Sequence, residues 1–243
     1  MKIVTWNCQG AFRKKYLPLA AMQPDLAVIQ ECECLEKLTW KQGNAPARMF
    51  WFGSSPNKGL GVFSWTNLEF DALENFDETI RYCIPLRVTA PYAFHAVAVW
   101  AMDHPIEKLS YSAQIYQALA AYRAFMLEND TVFLGDFNSS PRTTPRSRLG
   151  NHTTLSTSLA DLGMISAYHL ASMEKPGKET RGTYFRGRNP QKPSHIDYAF
   201  IPTRWLRRIR RVEVGKPEEW LAHSDHCPLM VEIVPKTADS ITG

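Results

Sequence analysis

Apolar residues along this chain gather in short runs that stop on polar side chains. Lys2-Ile3-Val4-Thr5-Trp6-Asn7 is β-branched and aromatic and ends on an amide. Asp25-Leu26-Ala27-Val28-Ile29-Gln30 repeats the pattern and delivers Glu31. Thr131 to Leu134 reads as a buried strand, followed by Gly135, Asp136, Phe137 and Asn138. In extended backbone, positions i and i+2 share a face, so Asp136 and Asn138 are expected to point the same way. Gly, Asp, Asn and Ser also favour turns, so a plain turn is the competing reading of that stretch.

Further strands are expected at Met49 to Phe52, Leu60 to Ser64, Ile80 to Thr89, Phe94 to Trp100, Ser194 to Ile201 and Pro228 to Val234. Helical periodicity is clearest from Ser112 to Leu127, where Ile115, Leu119, Tyr122 and Met126 recur on one face, with Ser110 or Ser112 as cap. Shorter helices are expected at Leu17 to Met22, stopped by Pro24, and at Leu155 to Leu162, ended by Gly163. No linker, repeat or low-complexity segment divides the chain, so residues 1–243 are expected to form one domain.

Composition narrows the classes without choosing among them. The 243 residues are 44% hydrophobic and 21% charged, ordinary for a globular chain, and the net charge of +4 suits a polyanionic substrate without demanding one. Five cysteines with no CxxC spacing do not form a disulfide framework, and Cys32 and Cys34 read as reduced thiols. No secretory pattern and no apolar stretch of membrane-spanning length is present, so the expectation is a soluble, cytoplasmic protein, monomeric by default.

The polar residues at the strand ends carry the chemistry. Asn7, Glu31 and Asp136 close three apolar strands, and Asp197 and the Asp225-His226 pair come later. Carboxylates converge only where something offsets their repulsion, and a divalent cation does so. The donors are oxygens with no Cys/His ligand set, which favours Mg²⁺ or Mn²⁺ over Zn²⁺; Glu31 and Asp225 suit the ligand role. Asp197 beside His226 reads as an oriented imidazole, and Asn7 and Asn138 as uncharged donors near developing phosphate charge. Arg142, Arg146 and Arg148 follow closely and suit either phosphate contacts or a solvated loop. Arg13, Lys14 and Lys15, and Arg204, Arg207, Arg208, Arg210 and Arg211, read more readily as solvated faces.

Taken together, Thr5-Trp6-Asn7, Gln30-Glu31, Gly135-Asp136-Phe137-Asn138, His195-Ile196-Asp197-Tyr198 and Ser224-Asp225-His226-Cys227-Pro228-Leu229 resemble the endonuclease/exonuclease/phosphatase superfamily of exonuclease III- and DNase I-like enzymes. The motifs stand in the family's order across residues 2 to 234. The resemblance implies a four-layer α/β/β/α sandwich of two mostly antiparallel sheets and Mg²⁺-dependent phosphoester hydrolysis by an activated water. It implies metal-binding roles for Glu31 and Asp225 and catalytic roles for Asp136, Asn138, Asn7, Asp197 and His226. Arg142, Trp100 and His195 are the expected substrate contacts. The resemblance leaves the base open between Asp136 and His226. Two positions depart from the family pattern: Trp100 stands where a catalytic Tyr or His is common, leaving that role absent or assumed by His104, and Gln9 replaces an Asp or Asn. The substrate expected is nucleic acid, cut as an endonuclease or exonuclease; a small or lipid-linked phosphoester is the alternative.

Overall fold

The structure is a computed structural model that describes residues 1–73, 76–102, 111–143 and 151–235. In chain order its strands are β1 (Lys2–Asn7), β2 (Leu26–Cys32), β3 (Arg48–Ser55), β4 (Lys58–Ser64), β5 (Glu69–Ala72), β6 (Cys83–Ala90), β7 (Phe94–Trp100), β8 (Thr131–Asp136), β9 (Met164–Ser166), β10 (Tyr184–Phe185), β11 (Pro193–Ser194), β12 (Asp197–Pro202), β13 (Ile209–Val214) and β14 (Leu229–Ile233). The helices are α1 (Tyr16–Ala20), α2 (Tyr111–Ala121), α3 (Arg123–Glu128), α4 (His152–Asp161), α5 (Ala167–Ser172) and α6 (Pro217–Trp220).

Two six-stranded sheets result, in the orders β13-β14-β1-β2-β4-β3 and β5-β6-β7-β8-β12-β9. Among the described residues only β1 with β2 and β7 with β8 pair in parallel, so both sheets are mostly antiparallel. Alternate residues of each strand enter different cores. Ile3, Leu26 and Val28 of the first sheet meet Ala98, Val132 and Leu134 of the second. Their neighbours Val4, Trp6 and Ile29 face out to Phe12, Tyr16 and Leu19, while Val97, Val99 and Phe133 face out to Ile115, Leu119, Leu155 and Leu159. Burial on both faces is why these strands read as unbroken apolar runs rather than alternating ones.

Most expected elements are found, with shifted ends. The helix expected over 112–127 is two, divided at Tyr122, where φ −99° and ψ 7° depart from helical values; its hydroxyl donates to the Cys83 carbonyl at 3.2 Å. The strand expected from Ile80 starts at Cys83. The arginines after Ile201 fall on a 3-10 turn (Thr203–Arg208) and on β13, and three have local partners: Arg204 pairs with Asp130, Arg208 stacks over Trp205 at 4.4 Å and Arg211 pairs with Glu213. Ser110, His104, Arg146, Arg148 and the tail after Pro235 lie outside the described residues. No helix among the described residues is long and apolar enough to cross a membrane.

Strand direction decides where polar groups collect. Asn7, Glu31, Trp100 and Asp136 stand at or next to the C-terminal ends of β1, β2, β7 and β8, and Asp197 starts the antiparallel β12 opposite Asp136. Arg204 follows the far end of β12 and its partner Asp130 precedes β8, roughly 20 Å away along the strands at about 3.3 Å per residue. Gly135 makes the crowded end of β8 possible. It has φ +154°, and a Cβ there would lie 1.9 Å from the Val99 carbonyl oxygen. Gly135→Ala is therefore expected to lower stability by about 3 kcal/mol, read as a lower urea midpoint at unchanged slope.

Candidate active site

The site is built where the two sheets meet. Gln30, fully buried, donates from Nε2 to the Val99 carbonyl at 3.0 Å and to Thr5 Oγ1 at 3.0 Å, tying the end of β2 to the end of β7. Next to it Glu31 is the extra residue of a β-bulge: Gln30 opposes Leu60 and Cys32 opposes Gly59. Its φ of 61° is in the left-handed region, a conformation glutamate avoids unless its surroundings impose it. The bulge turns the carboxylate toward β1, where Oε1 accepts from Asn7 Nδ2 at 3.4 Å, and toward β4, where Oε2 lies 3.0 Å from Lys58 Nζ.

Asn7 reaches both sheets. The same Nδ2 donates to Asp136 Oδ2 at 3.0 Å, and Asn7 Oδ1 accepts from the Gln9 amide at 3.0 Å. Asp136 is fully buried. Asn138 adopts φ 46°, beyond the strand, so that its amide donates to Asp136 Oδ1 at 2.8 Å while its Nδ2 donates to the Ala101 carbonyl at 2.8 Å and to Asp136 Oδ2 at 3.3 Å. The two residues expected to align along an extended strand meet through a turn instead. The turn reading and the site reading of this stretch are the same structure.

His226 completes the group. Its Nδ1 lies 2.9 Å from Asp197 Oδ2 and its Nε2 lies 3.9 Å from Asp136 Oδ2. Among the described residues, Asp136, Asp197 and His226 form the one cluster tight enough to be a metal cage, with ligand atoms within 4.8 Å of one another. The 2.9 Å contact is a hydrogen bond and the 3.9 Å one is an ion-pair distance, so the cluster is a relay of a hydrogen-bonded Asp197–His226 pair facing a second carboxylate. Burial, and then the Asp197 charge, push the Asp136 carboxyl up to about 7 against the pull of His226 and the asparagine donors. For His226 burial opposes the charged ring, but Asp197 and Asp136 outweigh it and lift the imidazole to about 9.

Several supports were not legible beforehand. Ser224 Oγ donates to the Asn7 carbonyl at 2.7 Å and accepts the His226 amide at 3.0 Å; Trp6 Nε1 donates to the His226 carbonyl at 3.0 Å. Thr183 Oγ1 accepts the amides of Ile196 and Asp197 at 3.0 and 3.1 Å, and its carbonyl takes the Cys227 amide at 2.8 Å. Thr183 thus binds the Asp197 segment to the His226 segment. A buried threonine inside a polar, Pro/Gly-rich stretch carries no sequence signal for that.

The chain matches the family model of the Endonuclease/Exonuclease/phosphatase family over residues 4–226. The chain belongs to this family. Membership makes it a phosphoester hydrolase, and it spans all of the strand ends just described. No curated protein matches the sequence. Among solved structures, the 3'-5' exonuclease (NExo) of Neisseria meningitidis is similar over 96% of this chain and 100% of its own, at 23% identity and TM-score 0.66. An AP endonuclease from Archaeoglobus fulgidus is similar over 96% and 99% at 18% identity and TM-score 0.67. The endonuclease domain of TRAS1, a telomere-specific non-LTR retrotransposon, is similar over 97% and 99% at 17% identity and TM-score 0.65. At these identities the likeness shows the shared four-layer fold.

Enzymes of this family use divalent metals, and Glu31 fits such an ion: a carboxylate at a strained bulge, with only oxygen donors and amides around it and an ammonium already on one oxygen. Asp225 is half-buried beside His226, and its carboxylate accepts no hydrogen bond from the described residues. The remaining expectations divide. Gln9 Oε1 accepts from Arg188 Nη2 at 2.6 Å. Trp100 is buried, stacked on Tyr82 at 5.0 Å, with Lys58 5.6 Å from its ring centre. Arg142 is exposed on the loop after Asn138. His195 is not brought to the opening: it is buried against Tyr168 at 4.3 Å, with Nδ1 on the Arg181 carbonyl at 2.9 Å. Arg13 serves the fold, pairing with the buried Glu33, and Lys15 donates to the Cys8 carbonyl at 2.9 Å.

Behind the relay, Glu179 anchors the segment that carries Thr183. It accepts from His169 Nε2 at 3.0 Å and from the Gly177 amide at 2.7 Å. Burial alone would raise its carboxyl, but these bonds and the His195 charge outweigh it and hold it near about 2. A carboxyl depressed on folding adds stability that is fully present above its unfolded value of 4.5 and fades as pH falls toward 2. Wild type is therefore expected to lose melting temperature between pH 5 and pH 3 more steeply than Glu179→Gln, which lacks this part of the loss.

Proposed function

We propose that the protein is a Mg²⁺-dependent nuclease, hydrolysing phosphodiester bonds of DNA or RNA with Glu31 and Asp225 holding the metal. The bound cation would supply charge neutralisation at the scissile phosphate; Mn²⁺ has the same donor preferences. The observation that carries the reading is the relay Asp197–His226–Asp136, hydrogen-bonded at its first leg and 3.9 Å apart at its second, with Asn7 bridging Asp136 to Glu31. Asp197 occupies Nδ1, so Nε2 is the nitrogen that faces the reacting phosphate. His226 donates from Nε2 to a phosphate oxygen. Asp136, held ionisable by the Asn7 and Asn138 donors, takes the proton of the attacking water. Asn138 and Asn7 keep its oxygens in place.

Nucleic acid is favoured over a small phosphoester by what flanks the relay and by the relatives' own activities. Tyr184 is half-buried with its ring 4.9 Å from that of His226, a face on which a base can stack. Exposed Arg186 and Arg188 follow it directly, and Lys58 stands on the opposite flank. One structural neighbour is titled a 3' phosphatase bound to a product DNA hairpin. Five buried free cysteines suit a reducing compartment, so the proposed setting is the cytoplasm.

The test is cleavage of plasmid, single-stranded DNA and RNA in Mg²⁺ and in Mn²⁺. With roughly three phosphate contacts on a single strand, binding is expected to weaken about 20-fold between 50 and 200 mM salt. Turnover confined to small phosphoesters and insensitive to salt would replace the nuclease reading with the phosphatase one.

A further inference from the structure

Lys58 sits at the centre of the metal-binding edge and is not needed by the relay. It opens β4 directly after Ser55-Pro56-Asn57, with Nζ 3.0 Å from Glu31 Oε2 and 5.6 Å from the Trp100 ring centre. Glu31 Oε1 faces Asn7. Both oxygens of the carboxylate best suited to a divalent ion are thus engaged, one of them by a cation the chain supplies itself.

Each partner is held in place. The hairpin is pressed flat at Gly59, where a Cβ would lie 2.5 Å from the Trp51 ring. Glu31 is fixed by its bulge. Trp100 is clamped by Tyr82, whose hydroxyl lies 3.2 Å from Ser54 Oγ on β3. The two charged side chains differ in exposure: that of Lys58 is 50% exposed and that of Glu31 21%. The ammonium can move into water along its flexible stem while the carboxylate stays.

We propose that Lys58 is a resident counter-ion of Glu31 that a divalent cation must displace, and that it thereby sets how tightly the site holds that cation. The inference rests on Glu31 being a metal ligand. A half-exposed ion pair is weak, so a dication that coordinates the same oxygen wins the exchange. The lysine opposes that ion twice: it competes for Oε2 before binding, and its charge remains nearby afterwards.

The experiment is calorimetric titration of Mn²⁺ alone, without substrate, into the wild-type protein and the variants Lys58→Met, Lys58→Arg and Glu31→Gln. Lys58→Met is expected to bind Mn²⁺ about 2- to 5-fold more tightly, the scale of a partly exposed ion pair. Lys58→Arg is expected to stay near wild type, and Glu31→Gln to lose at least about tenfold. Unchanged or weaker binding by Lys58→Met, with Glu31→Gln still weak, overturns the role of Lys58 and leaves Glu31 a ligand. Wild-type binding by Glu31→Gln overturns the metal reading and this inference with it. Melting curves confirm that each variant is folded, and Lys58→Gln carries the same comparison should Lys58→Met melt below the titration temperature.

Discussion

Replacing Asp136 by asparagine is expected to cut turnover by about 10²- to 10⁴-fold, the range of a lost general base. The substitution keeps volume and shape, so the fold should survive it. Asp136 is fully buried at the end of β8, and all of its polar contacts within the site serve the carboxylate: Asn7 Nδ2 at 3.0 Å, the Asn138 amide at 2.8 Å and Asn138 Nδ2 at 3.3 Å. An amide in that place cannot take a proton from water, and one of its atoms becomes a donor facing donors. The loss should lie in kcat rather than KM, because Asp136 does not carry the charge that attracts substrate. Single-turnover cleavage rates measure it. Loss of less than about tenfold would remove Asp136 from the chemistry.

His226→Ala is the second large effect, about 10²-fold or more in turnover. It also strips Asp197 of its hydrogen-bond partner at 2.9 Å, and the other Asp197 oxygen, Oδ1, is buried without a partner. An uncompensated buried carboxylate is costly, so a loss of roughly 3 kcal/mol in stability should accompany the kinetic defect. Urea denaturation beside kinetics separates the two. The isosteric change His226→Gln should recover part of the stability and little of the rate, because an amide bonds Asp197 but cannot become a cation at Nε2. Unchanged turnover in both variants would take His226 out of the mechanism.

Much of this site is readable from the chain because its residues end apolar strands. Asn7, Glu31 and Asp136 each follow a run whose two faces are both buried, and in a two-sheet fold such runs stop together at one edge. The Asp197 and Asp225-His226 motifs stand in the family's order, and Asp197 and His226 pair as expected. The geometry of Asn138 was not readable, because its left-handed φ and its bonds to Asp136 and Ala101 belong to a turn and not to strand alternation. Nor were Thr183 and Ser224, whose hydroxyls lock backbone amides far apart in sequence. His195 shows the opposite error. Its motif places it two residues from Asp197, but on the side that packs against Tyr168 and Tyr198. Lys58 had no signal at all: only the bulge at Glu31 brings it there.

The claim on which the rest depends is that Asp136, at the end of β8, and His226, on the segment leading into β14, act on one phosphodiester as a unit. The most direct measurement is a double-mutant cycle: single-turnover hydrolysis of a labelled oligonucleotide in Mg²⁺ by wild type, Asp136→Asn, His226→Ala and the double variant. A unit predicts that the double variant is about as slow as Asp136→Asn alone. Losses that multiply, or four proteins that cleave at one rate, would contradict it.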